Sequence, residues 1–415
     1  MKKNIHFHSD CSFFAGCENM LVNFFHDEAI NKRYRLSFSY RYSPRYEAGV
    51  KERIPNELRK APLKIFDMTS IYEYINNFSF KPLRLLIKIL ANLLLLRYIV
   101  IFWNTIVLYR LLRNMRIDLL HVNNGGYPGA CSCTSIILAA KLCQVPQIVY
   151  VVNNLAVSYK SPLRWLDYPL DKILVNAVSM FVTGSAYAKQ RLIDILKVPT
   201  SKAISIHNGI ARRSITENRI QVLKRLGVDH NNVIITIVAV LEERKGHIIL
   251  LKAIELLKDQ GIEKLPIILI EGIGPTLSSL KLFVDRYTLQ DHVKFIGSEK
   301  NVFNLMNASD IIVLPSLYNE DFPNIISEAM SLGKPVIASR LAGTPEQIES
   351  MHDGILLEPG NVEKLAEAIR VLLADSDLRL RLGVNALEKF EKNFSNTIAT
   401  NKYLILYNRL LKEDL

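Results

Sequence analysis

Leu314-Pro315-Ser316-Leu317-Tyr318-Asn319-Glu320-Asp321-Phe322-Pro323-Asn324-Ile325-Ile326-Ser327-Glu328-Ala329-Met330-Ser331-Leu332-Gly333-Lys334-Pro335-Val336-Ile337 reads in order as strand end, loop, helix, stop and strand. Pro323 has the fixed φ of a first helical residue, Gly333 is placed to close the helix, and Pro335 cannot continue it. On either side the same alternation persists. Short β-branched runs at Val233–Val240, Ile267–Ile270, Val293–Ile296, Ile311–Leu314, Val336–Ser339 and Ile355–Leu357 are separated by helical periods near 247–259, 276–287, 300–308, 324–332, 344–350, 362–374 and 376–392. Strands apolar on both faces between helices belong to a parallel sheet, so this half is one Rossmann-like domain.

The first half repeats the theme with more insertion. Strands are expected at Ile5–His8, Leu36–Tyr40, Lys64–Phe66, Leu119–Val122, Ile148–Val152, Met180–Thr183 and Ile204–Ile206, with helices near 17–31, 83–114, 131–143, 161–177 and 186–196. His207-Asn208-Gly209-Ile210 and the polar Ala211-Arg212-Arg213-Ser214 form the link. The expected architecture is α/β, two Rossmann-like domains facing a cleft. The first covers 1–208 and is joined by a last helix at 396–415; the second covers 209–395. Open α/β sheets bind ligands at the carboxyl ends of their strands, so function is sought there.

A length of 415 residues suits two or three domains at roughly 150 each. An apolar fraction of 49% without low-complexity tracts excludes a disordered or fibrous chain. Residues 1–207 hold 27 Lys/Arg against 13 Asp/Glu and 208–415 hold 25 against 27, so the basic excess is wholly N-terminal. Such a domain meets an anionic partner. Without zinc-finger spacing, an RNA-binding signature or aromatics interleaved with the charges, nucleic acid is not expected, which leaves a membrane surface or a phosphorylated substrate. Five cysteines without a Cys-x-x-Cys pair predict neither a disulfide nor a zinc framework, and the N-terminus has no apolar secretion signal, so a cytoplasmic chain is expected.

Between Glu73 and Asp118 there is no acidic residue, and Ile89–Tyr109 is nearly all apolar. Its 21 residues have the length of a membrane span, but Arg97 near the middle disfavours one. Lys81, Arg84, Lys88 and Asn92 share a helical face, which predicts a helix near 81–116 lying on an anionic membrane surface. An ordinary buried helix is the alternative.

The loop and helix quoted first carry the candidate chemistry. Glu320 lies ahead of the helix and Glu328 on it, eight residues apart, with the backbone N–H groups of Phe322, Asn324 and Ile325 at the helix start. Carboxylates that accept paired hydroxyls, beside amide donors for an oxygen-rich ligand, suit sugar recognition. His6, His8 and Asp10 have the spacing of metal ligands on one strand face, but no further ligand cluster supports them, and no metal is expected.

Glu320 and Glu328 in this strand, loop and helix, with Val238-Ala239-Val240-Leu241-Glu242-Glu243-Arg244-Lys245-Gly246, Gly272-Ile273-Gly274-Pro275 and Val293-Lys294-Phe295-Ile296-Gly297, resemble the retaining glycosyltransferases of family 4, which have the GT-B fold. The likeness covers 204–395. The first half matches more loosely, through Asp118–Gly129 and the loop at Gly16. The resemblance implies a nucleotide-diphosphate sugar donor, a lipid-linked or glycan acceptor, no metal or other cofactor, and a place at the inner face of the plasma membrane in surface-polysaccharide synthesis. It also implies that Glu328 holds the ribose, Glu320 and Phe322, Pro323, Asn324 and Ile325 the donor sugar, Lys245 the diphosphate, Gly297 the base, and Gly16 the phosphates or acceptor.

Three departures stand out. Val240 replaces a usual Arg, for which Arg244 is the candidate substitute; Asp321 replaces a common Gly; and Asn153 stands where a His is frequent. His121, on the neighbouring strand, is the alternative catalytic imidazole. Val240 and Asn153 also motivate a non-catalytic scaffold or partner subunit, and a nucleotide-sugar epimerase is the remaining alternative.

Overall fold

The computed structural model describes residues 2–11, 14, 16–76, 80, 82–84, 87, 96–161 and 163–413. It divides into two compact units, Met1–His207 with Ala399–Leu415, and Asn208–Ile398. The first is built on seven parallel strands: β1 Lys3–Ser9, β2 Tyr34–Arg41, β3 Arg59–Leu63, β4 Leu119–Asn124, β5 Gln147–Val152, β6 Met180–Thr183 and β7 Ala203–Ser205. Their order is β3-β2-β1-β4-β5-β6-β7. The second has six: β8 Ile234–Val238, β9 Ile267–Glu271, β10 Val293–Gly297, β11 Ile311–Leu314, β12 Val336–Ser339 and β13 Ile355–Leu357, in the order β10-β9-β8-β11-β12-β13. Both are doubly wound, and strand order reverses between β1 and β4 and between β8 and β11.

Burial explains why these runs are strands. All six residues of β4 and all four of β11 and β12 are buried, as in sheets covered on both faces. Register sets Ile5 beside Leu36 and Leu119, and Ile312 beside Thr236 and Val336. One face of the first sheet packs Phe7, Phe24 and Phe38 against Tyr403 and Tyr407 of the last helix, Asn396–Leu411. The other packs Val122, Ile136 and Tyr150 with Leu108.

Differences from expectation are local. The third strand is Arg59–Leu63 rather than 64–66, because β3 is an edge strand where Pro62 is tolerated and no apolar run is needed. The helix expected over 17–31 is two, Asn19–His26 and Glu28–Arg33, divided at Asp27, which is extended and caps the second by accepting from Ile30 N at 3.0 Å. Helices at Pro44–Arg53 and Arg219–Arg225 were not foreseen, although Ser43-Pro44 and Asn218 with Gln221 are sequence-level start signals. Pro323 is the residue before the helix Asn324–Ser331, with φ −66° and ψ 121°, not its first turn.

The long apolar helix is Leu96–Leu112; Lys81, Lys88 and Asn92 lie outside the described residues. Arg97, the charge that disfavoured a membrane span, is ion-paired with Asp167, which also pairs with Arg164 at 3.1 Å. Among the described residues no helix is long and apolar enough to cross a membrane. The helix buries Val100, Ile101, Asn104, Leu108 and Leu112, while Phe102 (67% exposed), Trp103 (53%) and Ile99 face outward, followed by exposed Arg110 and Arg113.

Candidate functional site

In the second unit two loops leave the carboxyl ends of β8 and β11, where strand order reverses. They are stitched together by Leu317 N donating to Arg244 O at 2.7 Å. Gly246, φ +72°, permits the approach: a Cβ there would lie 1.9 Å from Pro315 O. A third loop crosses in the same way at Gly272, φ +135°, where a Cβ would lie 2.0 Å from Ala239 O. Gly272 N also donates to Gly297 O at 2.7 Å, which ties the end of β10 to this corner.

This packing brings the predicted charges together. Glu320, 7% exposed, receives Lys245 Nζ and, at 3.0 Å, an Arg244 Nη1 hydrogen on the same Oε1. Arg244 also donates through Nε to Glu242 at 2.7 Å. It is therefore held in the group rather than facing solvent, while Val240 is exposed. Phe322 and Asp321 are buried; Pro323, Asn324, Ile325 and Glu328 are half-buried, the last three on the helix that begins beside the pair. Asn324 and Glu328 are one turn apart on one helix face. Gly297, φ +79°, has open space where a side chain would stand. His247, unremarked in the sequence, follows Gly246 and is buried; desolvation, helped by the Lys245 charge, lowers its pKa to about 4. Burial likewise raises the pKa of the Glu271 carboxyl at the end of β9.

The first unit corrects one expectation. His121 does not end its strand: Asn123 and Asn124 follow it in β4, and the imidazole is buried among Phe7, Phe24, Tyr403 and Tyr407. Its Nδ1 lies 2.7 Å from Tyr407 Oη, and burial lowers its pKa to about 3. It is a core histidine, so its assignment as a catalytic group falls.

His6 and His8 are no metal site either. Ser37, His6, Ser39, His8 and Ser132 form a buried hydrogen-bonded chain with steps of 2.8 to 3.0 Å that ends where Ser132 donates to Asp10 Oδ2 at 2.5 Å. Burial lowers the pKa of both imidazoles to about 3 and keeps them neutral; with Ser132 giving its hydrogen to Asp10, each hydroxyl hydrogen and each Nε2–H along the chain then points towards Asp10. Arg41 Nε donates to the other Asp10 oxygen at 2.5 Å and pairs with Asp67 at 3.6 Å. At the ends of β4 and β5, Asn153 Nδ2 donates to Asn123 Oδ1 at 2.8 Å and Asn124 O at 2.9 Å. Arg41, Asp67 and Asn123 were missed: nothing local marks residues that only the sheet makes neighbours. Gly16 opens a short 3-10 turn, Gly16–Glu18, after β1.

The family model described as Glycosyl transferases group 1 matches residues 218–389, and that described as Glycosyltransferase Family 4 matches 79–213. The chain is 27% identical over 331 residues to the N,N'-diacetylbacillosaminyl-diphospho-undecaprenol alpha-1,3-N-acetylgalactosaminyltransferase of Campylobacter jejuni, covering 75% of this chain and 82% of that one. It is 26% identical over 314 residues to the UDP-Gal:alpha-D-GlcNAc-diphosphoundecaprenol alpha-1,3-galactosyltransferase of Escherichia coli, covering 73% and 78%. The crystal structure of Anabaena HepE with UDP superposes with a TM-score of 0.74 at 19% identity, over 98% of this chain and 100% of that one. With two doubly wound parallel sheets and both family models matched in chain order, the chain belongs to the glycosyltransferases of family 4, with the GT-B fold.

Proposed function

We propose that this chain moves a sugar from a nucleotide-diphosphate sugar to a hydroxyl of a lipid-linked or other membrane-associated glycan acceptor, with retention of configuration, in bacterial surface-polysaccharide synthesis. The observation that carries the donor reading is the convergence of Lys245, Arg244 and Glu320 where strand order reverses in the second sheet. Relatives named for diphospho-undecaprenol acceptors and alpha linkages support the acceptor class and the stereochemistry.

In this reading the bond from the anomeric carbon to the diphosphate oxygen breaks, the acceptor oxygen bonds to the same face, and its proton passes to the departing diphosphate. Lys245 and Arg244 stabilise the charge that develops there, and no metal is required for it. Glu320 positions the donor sugar and orients the two cations instead of attacking, unlike the paired carboxylates of glycosidases. Glu328 accepts from the ribose hydroxyls, Phe322 to Ile325 line the sugar, Gly297 leaves room for the base, and Gly16 borders the acceptor side. The first unit, with its basic excess and the outward Phe102 and Trp103, rests on the anionic inner face of the plasma membrane.

The test is transfer to a diphospho-polyprenol acceptor from a panel of nucleotide sugars, with and without vesicles containing phosphatidylglycerol. One donor is expected to be turned over, faster on vesicles, and Phe102→Ser with Trp103→Ser to remove only the vesicle effect. No turnover and no donor hydrolysis with any nucleotide sugar defeats the enzyme reading. Equal rates with and without vesicles defeat the membrane reading.

A further inference from the structure

The turn that follows β1 brings together three groups that the donor reading leaves unused. Cys11 Sγ lies 3.5 Å from Cys17 Sγ, and Cys17 Sγ lies 2.9 Å from Glu18 Oε2. The ligand atoms of the three are all within 4.8 Å of one another. The thiols are half-buried and the carboxylate is buried. Two thiolates bonded to one tetrahedral zinc ion, with Zn–S of about 2.3 Å, stand about 3.8 Å apart, so the observed spacing needs an opening of only a few tenths of an ångström.

The surroundings resemble a support for ligands. Ser9 Oγ donates to the other Glu18 oxygen at 3.1 Å, and Asn123 Nδ2 reaches both Ser9 Oγ at 3.2 Å and Cys17 O at 3.3 Å. Outer-shell hydrogen bonds of this kind hold first ligands in place. A separate observation points to a missing ligand. The hydroxyl of Tyr46, whose side chain is wholly buried, has no hydrogen-bond partner among the described residues, although Glu18, Cys11 and Cys17 lie within electrostatic reach of it. Ser9 Oγ is also near the phenol, but it already donates to Glu18 and accepts from Asn123. A water on a fourth coordination position would satisfy the phenol.

We infer that Cys11, Cys17 and Glu18 form a site for a thiophilic divalent cation of the zinc class, with Tyr46 bonded to a water on its open position. Binding exchanges two thiol hydrogens for the metal: Zn²⁺ and two Cys–SH give Zn(S–Cys)₂ held also by the Glu18 carboxylate, with two protons released. The site fixes the turn that carries Gly16 against β1 and β4. It takes no part in charge stabilisation at Lys245 and stands or falls independently of the donor reading.

The test uses the full chain, stripped with a chelator and titrated with Co²⁺ alone, then with Zn²⁺. One equivalent of Co²⁺ is expected to give a thiolate-to-metal charge-transfer band in the near ultraviolet that Zn²⁺ abolishes. Cys17→Ser should remove the band and Ser9→Ala should weaken binding about 10- to 100-fold. The cluster Glu349, His352 and Asp353 contains no thiol, so His352→Ala should leave the band unchanged. A wild-type measurement guards against a misfolded variant: Zn²⁺ should slow alkylation of Cys11 and Cys17 but not of Cys143. Absence of the band, its survival in both Cys11→Ser and Cys17→Ser, or alkylation of Cys11 and Cys17 at one rate with and without Zn²⁺ overturns the site.

Discussion

Lys245→Ala is expected to lower kcat by about 10²- to 10³-fold while the donor KM rises much less, because the ammonium acts most strongly on charge that appears only as the diphosphate departs. Lys245 and Arg244 share one Glu320 oxygen, so the alanine variant keeps one cation on the carboxylate and the loop keeps its Leu317 to Arg244 hydrogen bond. Loss of activity with an unchanged melting temperature is therefore the expected pair of readings. Glu320→Gln should fall in the same direction, since an amide no longer holds both cations by charge. Full activity in either variant, assayed with the donor that the wild type uses, removes these residues from the reaction.

The second large effect is on stability in mild acid. His6, His8 and His121 have pKa values lowered to about 3 by burial, and His8 adds to the effect on His6. Unfolded, each titrates near the ordinary value of 6.5, so below that pH the unfolded chain binds protons that the folded chain refuses. Acid thus favours unfolding, and each imidazole contributes a loss of about 1.4 kcal/mol per pH unit between pH 6.5 and its folded pKa. At pH 5 that is about 2 kcal/mol for each, or about 6 kcal/mol for the three, comparable with the whole stability of a typical domain. All three belong to the first unit, whereas the second holds His247 with its pKa lowered to about 4. Denaturant titrations followed by circular dichroism from pH 7.5 to 4.5 should show two transitions, the earlier one moving steeply with pH. His121→Phe should flatten that movement by one proton. A first transition that does not move between pH 7 and 5 contradicts the neutral imidazole chain.

How far the sequence could be read follows from what each feature depends on. Strands buried on both faces announce themselves through consecutive apolar residues, which is why the apolar runs at β6, β11 and β12 coincide with the strands to the residue. The edge strand β3, Arg-Lys-Ala-Pro-Leu, has no such constraint and was misplaced. Lys245 and Glu320, which the structure brings together, lie in two short loops with strong glycine and proline punctuation, and Glu328 lies on the helix after the second. Arg244's contact with Glu320 needed the structure, since it depends on the close approach of the two loops at Gly246. His121 misled for a related reason. A histidine near a strand end looks available for chemistry, and nothing before β4 tells that the last helix, almost 300 residues on, will cover it with Tyr403 and Tyr407. The Asp10, Arg41 and Asp67 cluster was invisible in the same way, because its residues meet only at the carboxyl ends of the neighbouring strands β1, β2 and β3.

The most direct test of the donor site is a crystal structure of the chain soaked with the nucleotide sugar that it turns over. The diphosphate is expected against Lys245 Nζ at the start of the Asn324–Ser331 helix, with Glu328 accepting from the ribose and the sugar beside Glu320. Donor density at the first sheet, or a diphosphate in the second unit that touches neither Lys245 nor that helix, would contradict it.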